Sequence, residues 1–247
     1  MIDDYDVDLN FEFNGPQESK YIFEKCISEL GYGCSADGMS KDAIAKSNFA
    51  EAEKAEHRGL YQRAFDYYLK AAEHGELDKA QYKVGEYYYA FCKGEGKIDF
   101  NLTIEEGISN AISYYEMAAN QGNINAQIDL YEIFYVGEYV EENDKEAFKW
   151  IKMAAQQGNA EAECSIAHAY VFGTGVEADY EEAVKWYEKA AEQGCKEAIR
   201  ELGFAYRTGD LHLYPSDEKS FYYYMEAAKQ GDAFSQTKIA EFYMEGE

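Results

Sequence analysis

The phrase Ala-Ala-x-x-Gly occurs five times in this chain, closing on Gly75, Gly122, Gly158, Gly194 and Gly231, at spacings of 47, 36, 36 and 37 residues. A period of that size marks a chain of supersecondary units, none of which can bury its apolar face alone. Such units stack into an array whose long surface binds other molecules and seldom carries chemistry.

Each unit reads as two amphipathic helices. In the clearest one, Ala162, Ile166, Ala167 and Tyr170 recur at helical spacing in the first half. Ala183, Trp186, Tyr187, Ala190 and Ala191 do so in the second. Each set makes one buried stripe, in which small residues let helices approach and aromatic rings fill the gaps. Gly173 and Gly194 stand where a left-handed C-terminal cap is needed, and Asp179 where an N-cap belongs. Leu130, Tyr131, Phe134 and Gly137 repeat the first half, as do Leu202, Gly203, Tyr206 and Gly209, and Val84, Gly85 and Tyr88. Ala147, Trp150, Ala154 and Ala155 repeat the second. The stripe nominates Leu130, Trp150, Tyr170, Trp186 and Leu202 as core residues.

The run Gly-Thr-Gly-Val at 173–176, Asp179, and Ala-Val-Lys-Trp-Tyr-Glu-Lys-Ala-Ala at 183–191 resemble the Sel1-like repeat family, a relative of the tetratricopeptide repeats. The resemblance covers roughly residues 78–247, while 49–75 looks more like an ordinary tetratricopeptide unit. It implies an all-α, right-handed α-solenoid of stacked antiparallel helix pairs. The expected layout is an acidic extension over 1–40, carrying a short strand-like segment and a helix, followed by the repeat array over 41–247. Between 94 and 110 the period is about eleven residues longer, so a loop or an extra helical turn is expected there. The array is expected to hold about five helix pairs and a last, unpaired helix.

In tetratricopeptide arrays the first helix of each unit lines the groove. Carried onto this chain, the resemblance implies that Tyr82, Glu86 and Tyr89 face a partner, with Ile128, Glu132 and Tyr135 in the next unit. Then come Cys164, His168 and Phe172, followed by Arg200, Phe204 and Arg207, and lastly Thr237, Glu241 and Met244. Aromatic and acidic side chains together suit a peptide carrying apolar and basic groups.

The formal net charge of −25 argues against nucleic acid and anionic membranes, whose affinity comes from neutralising phosphates. It favours a basic protein or peptide as partner. The expected role is that of an adaptor or scaffold. The alternative is an immunity protein that neutralises a basic toxin, a role the resemblance includes; an enzyme of unknown class comes third. No catalytic, cofactor or metal site is expected. The four histidines fall in different units. Asp4, Asp6 and Asp8 do not open a calcium loop, since Leu9 and Gly15 stand where such a loop needs glycine and glutamate. The beginning of the chain has neither the basic nor the apolar stretch of a secretory leader. The five cysteines follow no disulfide pattern, which places the protein in a reduced cytoplasm.

Two ends remain open for association. Tyr5, Val7, Leu9, Phe11 and Phe13 alternate with polar residues and would share one strand face. Ile239, Phe242 and Tyr243 belong to a last helix with no partner. Either end is a candidate for homodimerisation.

Overall fold

The computed structural model of the protein describes residues 41–74 and 77–245. The expected N-terminal strand and helix, with Gly75, lie outside them. The described residues hold eleven helices and no strand. In chain order these are α1 (Lys41–His57), α2 (Tyr61–His74), α3 (Asp78–Cys92), α4 (Ile104–Asn120), α5 (Ile124–Val136) and α6 (Asp144–Gln156). They continue with α7 (Ala160–Phe172), α8 (Tyr180–Glu192), α9 (Lys196–Thr208), α10 (Asp217–Lys229) and α11 (Ala233–Glu245). Odd and even helices pack most closely as five successive pairs, and each even helix leans on the first helix of the next pair. The last helix, α11, packs on α10. This is an α-solenoid.

The recurring phrase builds the junction between pairs. At the end of α4, Gly122 N–H donates to the Ala119 carbonyl and Asn123 N–H to that of Ala118, both in 3.0–3.1 Å. The same two bonds recur from Gly158 and Asn159, from Gly194 and Cys195, and from Gly231 and Asp232. This pair of bonds requires a left-handed residue, and the four glycines take φ of 95°, 83°, 84° and 84°. The residue after the glycine then opens the next helix. Asn123 Oδ1 accepts from Ala126 N–H at 3.0 Å, and Asn159 Oδ1 from Ala162 N–H at 2.9 Å. Two adjacent residues therefore stop one helix and start the next.

The alanines and the glutamine of the phrase fix how closely the helices sit. Ala118, Ala119, Ala154, Ala155, Ala190 and Ala227 are buried, so nothing larger than a methyl group stands between the helices at these positions. Gln157 Nε2 donates to Gln127 Oε1 at 2.8 Å, and Gln193 Nε2 to Glu163 Oε2 at 2.6 Å. Gln121 makes the matching bond to Gln81. Each bond ties the end of an even helix to its own odd partner and satisfies a buried polar group that would otherwise be costly. The Gln127 amide also donates to the Ala119 carbonyl at 2.8 Å, linking one pair to the previous one.

The longer second unit has both of the expected additions. The link between α3 and α4 spans residues 93–103, and α4 has 17 residues where α6 and α8 have 13. That link folds inward. Ile98 is buried, and Phe100 lies 4.8 Å from both Phe65 and Tyr88.

Two core assignments change, and so does one residue of the C-terminal end. Trp186 and Tyr170 are half-buried, and Trp186 carries Lys189 Nζ 3.9 Å above its ring. Phe242 is buried rather than offered at the end of the array. It packs on Phe221 and Tyr224, with the Arg207 guanidinium 4.5 Å above its ring. Tyr243 and Met244 remain exposed.

Trp150 is the largest fully buried side chain. Its truncation to alanine is expected to cost about 3–5 kcal/mol in urea unfolding. Gly85 sits inside α3, where an added Cβ would stand 2.6 Å from the Tyr115 ring. Gly85→Ala is expected to cost about 1–3 kcal/mol through overpacking. Wild-type stability in either variant would contradict this packing.

Candidate functional site

The helical repeat places Tyr82, Glu86 and Tyr89 on one stripe of α3, four and three residues apart. Beneath them α4 contributes Tyr115. Its ring can lie against the α3 backbone because residue 85 is glycine. From the next pair, α5 contributes Asp129 and Glu132. The hydroxyls of Tyr82 and Tyr115 face the Asp129 carboxylate and favour its charged form. The Tyr115 ring lies 5.6 Å from Tyr82 and 6.2 Å from Tyr89, and Tyr139 closes on Tyr89 at 6.1 Å. Lys83 Nζ holds Glu86 at 2.8 Å, and Lys93 Nζ lies 5.4 Å over Tyr89.

The electrostatics are those of negative charge held out of water. Burial pushes Asp129 up to about 6, and the Glu132 and Glu86 charges add to that shift. The two tyrosine hydroxyls oppose it but do not cancel it. The same carboxylates, together with burial, raise Tyr82 and Tyr115, and Tyr89 is pushed up to about 12. Every one of these groups is better off with a cation nearby.

The other nominated residues are placed differently. Ile128 packs partly buried against the core between α6 and α7, and Cys164 is buried. Tyr135 is about half exposed and stacks on Tyr131 at 5.3 Å. His168 lies 5.5 Å from Tyr187 and 6.4 Å from Phe172, whose ring is three-quarters exposed. Arg200 is engaged by Glu201 at 3.2 Å and Glu197 at 3.6 Å, and Arg207 by Asp217. Phe204 stands exposed beside an open concavity of about 330 Å³ lined by Arg200, Glu201 and Phe234. Glu241 holds Lys238 at 2.8 Å, and both Thr237 and Met244 face solvent. Tyr82, Glu86, Tyr89 and Glu132 are thus gathered around one half-buried carboxylate, while the rest are spread along the later helices. Among the described residues no group of three or more His, Cys, Asp or Glu side chains could hold a metal ion. No described helix is long and apolar enough to cross a membrane.

Asp129 escapes a reading of the sequence, and Tyr115 reads there only as a residue of the second-helix stripe. Asp129 occupies an ordinary position beside the Leu130 of the stripe. Its importance comes from Tyr82, on a helix of the preceding pair. The signal that could have found it is Gly85, which admits the Tyr115 ring.

Comparison with known proteins gives the family. Residues 60–76, 78–123, 126–159, 160–195 and 196–232 each match the Sel1 repeat. The structure is similar to a Sel1 repeat protein from Oxalobacter formigenes, with 24% identity over 93% of this chain and 86% of that one, and a TM-score of 0.62. A further similarity is to the immunity protein Pa5087 from Pseudomonas aeruginosa, at 20% identity over 75% of this chain and 81% of that one, with a TM-score of 0.38. Another is to c5321, a protective antigen of uropathogenic Escherichia coli strains, at 22% identity over 92% of this chain and 60% of that one, with a TM-score of 0.37. No curated protein sequence matches the chain. Five matched repeats, covering more than half of its length, show that the chain belongs to the Sel1 repeat family.

Proposed function

We propose that this protein is a cytoplasmic adaptor or scaffold, not an enzyme, that binds a basic protein or peptide through the α3–α5 face. Sel1 repeats generally mediate protein–protein interaction. The observation that carries the finer reading is Asp129, a half-buried carboxylate set beside the Tyr82, Tyr115 and Tyr89 rings, whose charge burial and two glutamates disfavour. A lysine or arginine of a partner, seated between Tyr82, Tyr89 and Glu132, would relieve that cost. It would also gain cation–π contact with the rings. The rest of the −25 charge would steer a basic partner toward this face. A toxin domain rich in lysine and arginine presents the same chemistry, so an immunity role is the special case in which the basic partner is a toxin. The exposed Tyr243 and Met244 leave the C-terminal end as a second, homodimeric contact, to be read from the mass in solution.

The experiment is capture of partners from the host by immobilised protein, beside a variant carrying Glu86→Lys and Glu132→Lys. The expected result is a basic partner held by the parent, lost from the variant, and captured less as salt rises. Equal capture by both proteins at every ionic strength would overturn the reading.

The half-buried carboxylate also predicts opposing effects on stability and binding. Because folding raises its pKa to about 6, the unfolded chain binds fewer protons between the ordinary aspartate range and that value. Stability therefore falls as pH rises through this window, and the whole cost is present above it. Asp129→Asn keeps an acceptor for the tyrosines and removes the charge. It is expected to stabilise the protein at pH 7 by on the order of 1–3 kcal/mol while weakening partner binding. Affinity of the parent should fall as pH drops below about 6, where Asp129 takes up its proton, and the Asn variant should lack that step.

A further inference from the structure

The junction of α3, α4 and α5 has a counterpart at α9, α10 and α11, in which cations replace the aspartate and two of the tyrosines. Counted from the Ala-Ala-x-x-Gly phrases, Tyr224 matches Tyr115, while Lys238 and Glu241 match Asp129 and Glu132. Counted from Gly203, which matches Gly85, Arg200 and Arg207 stand where α3 carries Tyr82 and Tyr89. The packing repeats with the positions. A Cβ on Gly203 would stand 2.9 Å from the Tyr224 ring, as one on Gly85 would stand 2.6 Å from that of Tyr115. Among these helices lies a cavity of about 130 Å³ whose wall includes Phe204, Arg207, Tyr224, Lys238 and Phe242. Its size suits one side chain rather than a cofactor. Tyr224 is only 1% exposed, and its hydroxyl is buried with no hydrogen-bond partner among the described residues. At the first junction the matching hydroxyl faces a carboxylate. Here the matching residue is Lys238, which has donors and no acceptor. Glu241, the one acid of the wall, is held by Lys238 at 2.8 Å. The Arg207 guanidinium, which engages Asp217 and lies 4.5 Å over the Phe242 ring, supplies more donors. The wall thus gathers donors around a space and lacks an acceptor for the most deeply buried of them.

We propose that the cavity between α9, α10 and α11 is a second binding site, which takes the carboxylate of an acidic side chain from a bound protein or peptide. The carboxylate accepts from the Tyr224 hydroxyl and from the Arg207 guanidinium, and Lys238 adds a second positive charge at the rim. The methylenes of the incoming side chain pack against Phe204 and Phe242, the first of which is already exposed. Burial and the Glu201 charge push the Tyr224 hydroxyl up to about 12, against the influence of Arg207, so it keeps its proton for donation. Bonds from a cation to a carboxylate are stronger than neutral ones, and two donors aimed at one group fix its orientation. The site is separate from the α3–α5 face and acts whether or not that face binds. Its ligand carries the opposite charge to the one that suits Asp129, so the two junctions read different residues of whatever lies along the array.

The test is titration of the full, isotope-labelled chain at pH 7 with the tripeptide Ac-Ala-Glu-Ala-NH2, followed by amide chemical shifts. Saturable shifts are expected at residues 203–208 and 237–242. The isosteric Ac-Ala-Gln-Ala-NH2 should bind about tenfold or more weakly, since it brings the shape without the charge. Free glutarate separates a side chain from a small acid: tighter binding of glutarate than of the Glu tripeptide would overturn the assignment. Tyr224→Phe removes only the hydroxyl and should weaken the Glu tripeptide severalfold, as should Lys238→Gln. In the free protein Tyr224→Phe should also raise the thermal midpoint by about 2–4 °C, because it deletes a buried donor that lacks a partner. A hydroxyl with a purely structural role, satisfied by an ordered water, gives the reverse: a lower midpoint and unchanged tripeptide affinity. That result, or equal shifts from the Glu and Gln tripeptides, would overturn the proposal.

Discussion

The whole array depends on a junction of two residues, a left-handed glycine and the residue after it, which cap the end of one pair and start the next. Because both residues also bond back to the alanine carbonyls, the exit angle of each even helix is fixed within one turn. Buried alanine on both sides of that turn lets the helices approach closely, and the glutamine locks the end of the even helix to its partner. A bulkier residue at any of these alanines would push one pair away from the next and carry that displacement along the stack. Nearest-neighbour packing makes this junction the unit of stability.

That arrangement explains where a binding face can form. A carboxylate inside one pair, such as Glu163, is taken up by the glutamine of its own pair. Asp129 instead points from the first helix of its pair toward the tyrosines of the preceding one, so the site straddles a junction. Straddling has an energetic consequence. The junction is already held by backbone bonds, so it can bear a carboxylate whose charge is disfavoured without coming apart. A partner's cation would then bind to a group that is poised rather than one that must first be organised.

The solenoid was legible from the five Ala-Ala-x-x-Gly phrases because each position in them has a single physical job, which the chain repeats. Tyr82, Glu86, Tyr89 and Glu132 were legible as a face through the family resemblance, since their offsets from the buried stripe are regular. Asp129 was not, because its setting depends on which residues of two different pairs meet. Ile128 and Cys164 share the offsets of the face but turn into the packing between pairs. Trp186 shows the opposite case. It occupies the same repeat position as Trp150 yet stays half-exposed under Lys189, because helical period alone does not say how much of a large ring its neighbour covers.

The one irregular unit lies beside the candidate site. Its extra residues lengthen α4 and fold the 93–103 link inward, so Phe100 reaches Phe65, Tyr88 and Phe91. Tyr88 in turn stacks on Tyr114 of α4 at 6.1 Å. On α3, therefore, Tyr88 packs against the link while Tyr82 and Tyr89 lie along the stripe that faces Tyr115 and Asp129. A helix packed on one side against a dense aromatic cluster has little freedom to rotate. The insertion thus supports α3 and with it the placement of the tyrosines and carboxylates on its other side.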